Sequence, residues 1–501
     1  MPADRPTLRC PLLLTAALAL AACAPNWPAS ERPALDLPPV AHKPLSIDRQ
    51  WWKVYGDPVL DQLVDEALAN NFDLTRAAAT VEEARAAAGA ARALLSPRVD
   101  GVAKAGASQR QLTFADADEI NDVTSTAVAG AAVKWEIDLW GRLRQMNDAA
   151  LARLAASEHT RNAVALSVSA AVAETYFQLR AYEEKLALTR EAARHLKSLA
   201  SLEYRRWQGE IGTQLAYRQS LAEQTAMETR LPVLESAVAQ TELALRLLVG
   251  SSPRRMSLKI PAGSPSTVPP TPREFDSELL LRRPDVASAE QLLVATQADI
   301  NATRAERYPR LTLSLLAGLL ATTSSAISGV PIYWDLSAGL TAPIYDAGLI
   351  QSRVEGAEAS RNKAVARYRY AVSLAFRETD DAPVRTESSD RQMAFIENEV
   401  AARQQALSLT RRSFDAGRSS MFEALGETTM VVNTQTGLGD ARQNRFVARS
   451  RYFKAPGGGA RCCSAAMTTR SRKAAIPSRP SASTGRSSMP TGRCTSCCRC
   501  C

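Results

Sequence analysis

Residues 126–139 read TAVAGAAVKWEIDL and residues 332–344 read IYWDLSAGLTAPI, and the fold turns on these two runs. In the first, Ala127, Ala129, Ala131, Val133, Trp135, Ile137 and Leu139 alternate with Thr126, Val128, Gly130, Ala132, Lys134, Glu136 and Asp138. In the second, Ile332, Trp334, Leu336, Ala338, Leu340, Ala342 and Ile344 alternate with Tyr333, Asp335, Ser337, Gly339, Thr341 and Pro343. A period of two puts each set on its own face of a strand. Both runs exceed the roughly 9 to 11 residues with which a tilted strand crosses a bilayer. Val99–Ala107 and Leu311–Leu319 alternate more weakly, one diluted by Ala and Gly and the other with Leu on both faces.

Alternation alone suits a half-buried soluble sheet equally well. A sheet in lipid must also close, because each unpaired backbone group there costs several kcal/mol. Two hairpins supply four strands, whereas membrane barrels use about eight or more. If these strands span a membrane, several chains must share one barrel, and three copies would bring twelve strands.

The segments that follow the strands predict very long helices. From Gly141 to Trp207 there is no proline and no further glycine, and 67 helical residues would reach roughly 100 Å. Asp346 to Ser413 repeats the pattern, with Pro383 expected to kink it. Such lengths imply a coiled-coil or tubular assembly.

The two halves also match in order. Each opens with a helical pattern, at 57–95 and 273–308, then meets a proline, Pro97 or Pro309, at an offset of 212. Gly141 matches Gly348 at an offset of 207, and Gly209 matches Gly417 at an offset of 208. Landmarks at nearly constant spacing indicate an internal duplication.

Composition agrees with long packed helices: 46% of the 501 residues are hydrophobic but only 6% aromatic. The formal charge of +9 resides in the two ends, since residues 461–501 hold eight basic residues and no acidic one. The formally neutral body argues against nucleic acid as a partner. All nine cysteines likewise lie at or before Cys23 or at or after Cys462, so no disulfide can form between. The three histidines, His42, His159 and His195, have no spacing that suits a metal or a catalytic site, and neither a cofactor nor enzymatic activity is expected.

Arg5 and Arg9 precede an apolar run from Pro11 to Ala22, too short to span a bilayer and suited to a signal-peptide core. It ends Leu20-Ala21-Ala22-Cys23, similar to the lipobox of bacterial lipoproteins, so Cys23 is expected to carry diacylglycerol and an N-palmitoyl group after cleavage. Ala24 follows where an Asp would resemble an inner-membrane retention signal, which favours the outer membrane.

At this point the chain resembles the TolC-like outer-membrane factors, in particular the NodT-like lipoprotein branch that serves RND-type efflux pumps. The resemblance rests on WWKVYGDPVLDQLVDEALANN at 51–71, KWEIDLWGRLR at 134–144, AETYFQLRAYEEKLAL at 173–188, LLLRRPDVASAEQLL at 279–293, APIYDAGLIQSRVEGAEA at 342–359 and QNRFVA at 443–448. It implies a mixed α and β fold. Four transmembrane strands per chain would build a trimeric twelve-stranded barrel, continued by coiled-coil helices as a periplasmic α-barrel.

The implied function is the outer-membrane channel of a tripartite system, a homotrimer working with a periplasmic adaptor and an inner-membrane RND transporter. An exit duct for ABC-driven protein secretion and a lipid-anchored coiled-coil scaffold without a pore are the alternatives. The family's adaptor-facing turns, which border the aperture, map to Gly209, Gly212 and Thr213 in the first half and to Gly417 and Ser420 in the second. Gly212 departs from the hydroxyl residue of the family turn. Lys104, Lys134, Glu136 and Asp138 are expected to face an aqueous lumen, because a Lys facing lipid at mid-depth would cost roughly 2 to 4 kcal/mol. Trp135, Trp140, Tyr333 and Trp334 are expected near the membrane interface.

The expected organisation is a signal peptide at 1–22, a lipidated Pro-rich tether at 23–56, a first repeat at 57–250, a Pro-rich linker at 251–272, a second repeat at 273–454, and a tail at 455–501. The tail turns abruptly to Arg, Ser, Pro and Cys, as a GC-rich gene read out of frame would, and is expected to lack order. Its Cys494-x-x-Cys497 could instead hold a soft metal or form disulfides.

Overall fold

The computed structural model describes residues 27–31, 33, 50–114, 117–250, 283–323 and 328–457. Cys23, most of the tether, the linker at 251–272 and the tail from 458 lie outside the described residues.

A short 3₁₀ turn, Trp51–Tyr55, leads into helices α1 (Pro58–Asn70) and α2 (Phe72–Ala93), then strands β1 (Arg98–Phe114) and β2 (Ala117–Ile137). Helices α3 (Arg142–Gln208), α4 (Gln214–Glu228) and α5 (Leu231–Val249) complete the first half. The second half runs α6 (Pro284–Ala305), β3 (Arg310–Thr323), β4 (Ser328–Gly329), β5 (Ile332–Thr341), α7 (Leu349–Asp415) and α8 (Met421–Lys454). As the absence of Pro and further Gly predicted, α3 is 67 residues long, and α7 reaches the same length although it contains Gly356 and Pro383. Pro383 lies inside α7 without ending it.

The helical pattern at 57–95 divides in two, and Asn71 is the reason. Its Oδ1 accepts from the Asp73 and Leu74 amides to start α2, while its Nδ2 donates to the Leu248 carbonyl at the end of α5. One short amide side chain thus caps one helix and ties it to another.

The largest buried cluster contradicts part of the expected tether. Trp51, Trp52 and Tyr55 are buried against Tyr176 and Phe177 of α3 and Phe446, Tyr452 and Phe453 of α8. Phe177 and Phe446 stack with centroids 4.3 Å apart, and the Tyr55 hydroxyl lies 3.0 Å from Ser450 Oγ. Trp51, Trp52 and Tyr55 therefore belong to the core, drawn there by aromatic area that proline-based reasoning overlooks. Asp57 is fully buried and caps α1, accepting from the Val59 amide; its other oxygen accepts from the Tyr176 hydroxyl at 2.7 Å and Arg180 at 3.3 Å.

Along α3 the buried residues are mostly small, among them Ala149, Ala152, Ala156, Ala170, Ala173, Ala192 and Ala193. Small side chains let helix axes approach closely, and α3 packs against α2, α4, α5, α6 and α8. Ion pairs join the long elements across these seams: Arg451–Glu174 and Arg442–Glu184 between α8 and α3, Arg445–Asp390 and Arg449–Asp390 between α8 and α7. Burial pushes the Asp390 carboxyl up, but hydrogen bonds from Arg449 and Arg445 overcome this, leaving its pKa below the ordinary 3.8. A carboxyl lowered in the folded state contributes stability that is present above the ordinary value and lost as pH falls through the lower folded value. Asp390→Asn should therefore flatten the loss of helix-bundle stability below about pH 4 in denaturant titrations. An unchanged acid limb would count against this pairing.

The second-half boundary also moves. Ala455, Pro456 and Gly457 are buried, and the Ala455 carbonyl accepts from Arg283 Nη1 at 2.7 Å. The expected break after Lys454 comes too early, because these residues pack under the start of α6.

Candidate functional site

The strands form one antiparallel sheet in the order β1-β2-β3, with β4 and then β5 following one another along the far side of β3. Register joins the alternating residues of separate strands into rows. Val99, Val133, Leu315 and Leu336 form one row, Gly101, Ala131, Ala317 and Trp334 the next, and Ala103, Ala129, Leu319 and Ile332 a third. Among the described residues, every large apolar sheet side chain that is exposed lies on this face: Val99, Val123, Trp135, Leu315, Leu319, Ile332, Trp334, Leu336 and Leu340. Ile332 and Trp334 are 83% and 69% exposed, against the expectation for soluble proteins. From Ile332 to Leu340 the band runs roughly 26 Å along the strand at about 3.3 Å per residue, which at a barrel strand's tilt of about 40° covers about 20 Å of the roughly 25 Å apolar belt of a membrane barrel.

The opposite face carries Arg98, Asp100, Lys104, Lys134, Glu136, Thr312, Ser314, Asp335 and Ser337. Lys104 and Lys134 are exposed there, on the polar face as the alternation predicts. Tyr333 is also on this face, opposite Gly318, and not on the apolar belt with Trp334. Gly130 and Gly318 pair across β2 and β3, where a Cβ on either would lie 2.3 Å from a backbone oxygen of the other strand. Only glycine permits that approach.

Both margins of the sheet are open among the described residues: β1 pairs only with β2, and β5 only with β3. No described helix is long and apolar enough to cross a membrane.

Glu136 and Asp138 do something other than line a strand face in isolation. Glu136 binds the Arg142 guanidinium through both oxygens at 2.8 Å. Asp138 lies beyond the end of β2 and accepts from the Leu143 and Arg144 amides at 3.1 and 2.9 Å. Asp138 thus holds the first turn of α3 from just beyond the strand, and the positive end of the helix attracts its charge. At the same level Trp135 Nε1 donates to the Leu95 carbonyl, and Trp140 stacks on Tyr308 at 5.0 Å. Tyr308 carried no sequence signal for this role.

At the far ends of the long helices, two turns close helical hairpins. In the second, Gly417 adopts φ +68°, its amide donates to Phe414 and the Arg418 amide donates to Ser413. In the first, the Ile211 amide donates to Arg206 and the residue at φ +57° is Glu210. The hydrogen bonds therefore align Glu210 with Gly417, so the expected match of Gly209 to Gly417 is one residue out of register. Gly209 has φ −86°. Thr213 then aligns with Ser420, and both cap the next helix, accepting from Ala216 and Glu423. Gly212 is needed for space, since a Cβ there would lie 2.9 Å from Arg206 Cβ.

A glutamate in the left-handed region is strained by about 1 kcal/mol. Glu210→Gly should raise stability by roughly 0.5–1 kcal/mol, and Gly417→Ala should lower it by about 1 kcal/mol. Urea unfolding of the solubilised chain reads both signs, and a stabilising Gly417→Ala would refute the alignment.

These features accord with comparisons to known proteins. The model of the family described as outer membrane efflux protein matches twice, at residues 63–251 and 277–458. The pyoverdine export outer membrane protein OpmQ of Pseudomonas putida is 33% identical over 456 residues, covering 89% of this chain and 97% of its own. The probable outer membrane lipoprotein SilC of Salmonella typhimurium is 28% identical over 417 residues, covering 82% of this chain and 87% of its own. A crystal structure of a membrane protein from Pseudomonas aeruginosa superimposes with a TM-score of 0.76 at 27% identity, covering 87% of this chain and all of that one. With an apolar-faced sheet, open margins and two long helical hairpins already in place, the chain belongs to the outer membrane efflux protein family.

Proposed function

We propose that three copies of this chain join edge to edge into one twelve-stranded outer-membrane barrel that passively conducts small molecules exported by an RND-type tripartite pump. The observation that carries this reading is the exposed apolar sheet face, bounded by two margins that are unpaired among the described residues. Three successive antiparallel pairings leave β1 and β5 running in opposite senses, so β5 of one copy meets β1 of the next in an antiparallel ladder. Closure then satisfies the backbone groups that lipid cannot. Lys104 and Lys134 would face the lumen, with the strand residue Glu136 held at its rim by Arg142.

The duct continues through α3, α4, α7 and α8 across the periplasm. Its tips, with Thr213 and Ser420 as caps beside Glu210 and Gly417, would receive the periplasmic adaptor, and the inner-membrane transporter would load the substrate. No catalytic step or cofactor belongs to this reading. Cys23 would carry the diacylglycerol and N-palmitoyl anchor, in keeping with a relative named a lipoprotein. The two matches of one family model, with α3 and α7 equal in length and their caps Gly141 and Gly348 set 207 residues apart, support descent from a duplicated unit.

Purified protein should run as an SDS-resistant trimer and give steady conductance in a planar bilayer. A monomer that forms no pores would overturn the conduit and leave a lipid-anchored scaffold.

A further inference from the structure

Short as it is, the described part of the N-terminal segment sits in a site built by both halves of the chain. Trp27 Nε1 donates to the Trp140 carbonyl at 2.7 Å, and its ring meets Tyr308 edge-on with centroids 6.3 Å apart. Tyr308 in turn stacks on Trp140, whose own Nε1 donates to the Pro309 carbonyl at 2.7 Å. The Pro28 carbonyl accepts from Asn301 Nδ2 at 3.0 Å. Asn301 is 2% exposed, and the same nitrogen donates to Gln145 Oε1 at 3.0 Å, so both of its hydrogens are used. Trp140 and Gln145 come from the first half, and Asn301, Tyr308 and Pro309 from the second.

We propose that this junction is a docking site for the chain's own residues 27–28, a latch that holds the lipid-bearing end beside the base of the sheet. The idea rests on the proposed acylation of Cys23. The latch lies where β2 ends at Ile137 and β3 begins at Arg310, the lower limit of the apolar band. Cys23 precedes Trp27 by four residues, so extended chain allows it at most roughly 14 Å from the latch. A short stay keeps the acyl chains at a high local concentration against the same membrane the sheet enters, so anchor and barrel reinforce each other.

The chain has seven tryptophans, which makes 5-fluorotryptophan labelling of the full-length protein in detergent practical. Trp27→Phe identifies the Trp27 fluorine line by removing it. That line should lie away from the free-tryptophan position, and Tyr308→Ala should shift it onto that position. A Trp27 line already at the free position, or one that Tyr308→Ala leaves in place, would overturn the latch. Labelled palmitate supplied to cells making wild type and Trp27→Phe tests the acyl group separately. Incorporation in both supports the anchored stay. Absence of label in the wild type would overturn the acyl-positioning role, while the fluorine line still decides whether the junction holds Trp27.

Discussion

Replacing Leu336 with lysine should remove the protein from the outer membrane, whereas replacing Gly339 with lysine on the same strand should be tolerated. Leu336 is 66% exposed at the centre of β5, in one row with Leu315, Val133 and Val99. A lysine at mid-depth on a lipid-facing strand position costs roughly 2–4 kcal/mol. In a shared barrel that penalty recurs in every copy, so roughly 6–12 kcal/mol would oppose insertion of a trimer, comparable to the whole stability of a folded domain. Gly339 is three residues away on the opposite face, paired with Thr312, which pairs with Glu136. A Cβ there meets nothing within 4 Å, and the new ammonium would face water and a carboxylate. Membrane fractionation and heat-modifiable mobility on SDS gels separate the outcomes. Equal loss from both variants would mean that the two faces do not differ in solvent, and the assignment of lipid to one of them would fail.

That contrast of faces was legible in the sequence because β pleating has a period of two, and Ile332 to Thr341 obeys it without exception. The long helices were legible for a complementary reason: Gly141 and Gly348, at φ near +80°, mark their starts, and no Pro or Gly follows in α3, while the Gly356 and Pro383 of α7 are absorbed within 67 helical residues. The misreadings share a cause. Alternation cannot distinguish the last residue of a strand from a residue just beyond it that holds the next helix, so it does not reveal the bonds of Asp138 to α3. Glycine is the usual sequence marker of a left-handed turn, yet in the first tip the turn is set by hydrogen bonds to Arg206 and Trp207, with Glu210 in the strained position. Prolines marked the tether, but they said nothing about where Trp51 and Tyr55 would find aromatic partners on helices more than a hundred residues away. Local pattern encodes periodicity and termini; it does not encode partners chosen by tertiary packing.

Arg283 is the strongest case of such a partner choice, and its removal should cost about 1.5–3 kcal/mol, since water reaches the Asp285 and Glu378 carboxylates it leaves behind. The residue is 6% exposed within the LRRPDV segment. Its Nη2 donates to Asp285 and Glu378 at 2.8 Å each, its Nε to Asp285 at 3.0 Å, and its Nη1 to the Ala455 carbonyl. Burial disfavours the guanidinium charge, but the hydrogen bonds and charges of Asp285 and Glu378 outweigh it and raise its pKa. One side chain thereby fastens the start of α6 to the middle of α7 and to the turn that ends the described residues. Arg283→Ala leaves two carboxylates facing each other without a cation and a carbonyl without a donor, each of which carries a desolvation cost. Arg283→Lys keeps the charge but not the planar fork, so its loss should be intermediate. Because Arg283 and Glu378 act as a unit, the double variant Arg283→Ala/Glu378→Ala should be less destabilised than the sum of the single ones. Guanidinium unfolding of all four variants measures this. Strict additivity, or an Arg283→Lys protein as stable as the wild type, would show that the clamp is a bystander to packing around Val286 and Tyr368 instead of the joint that holds the helices together.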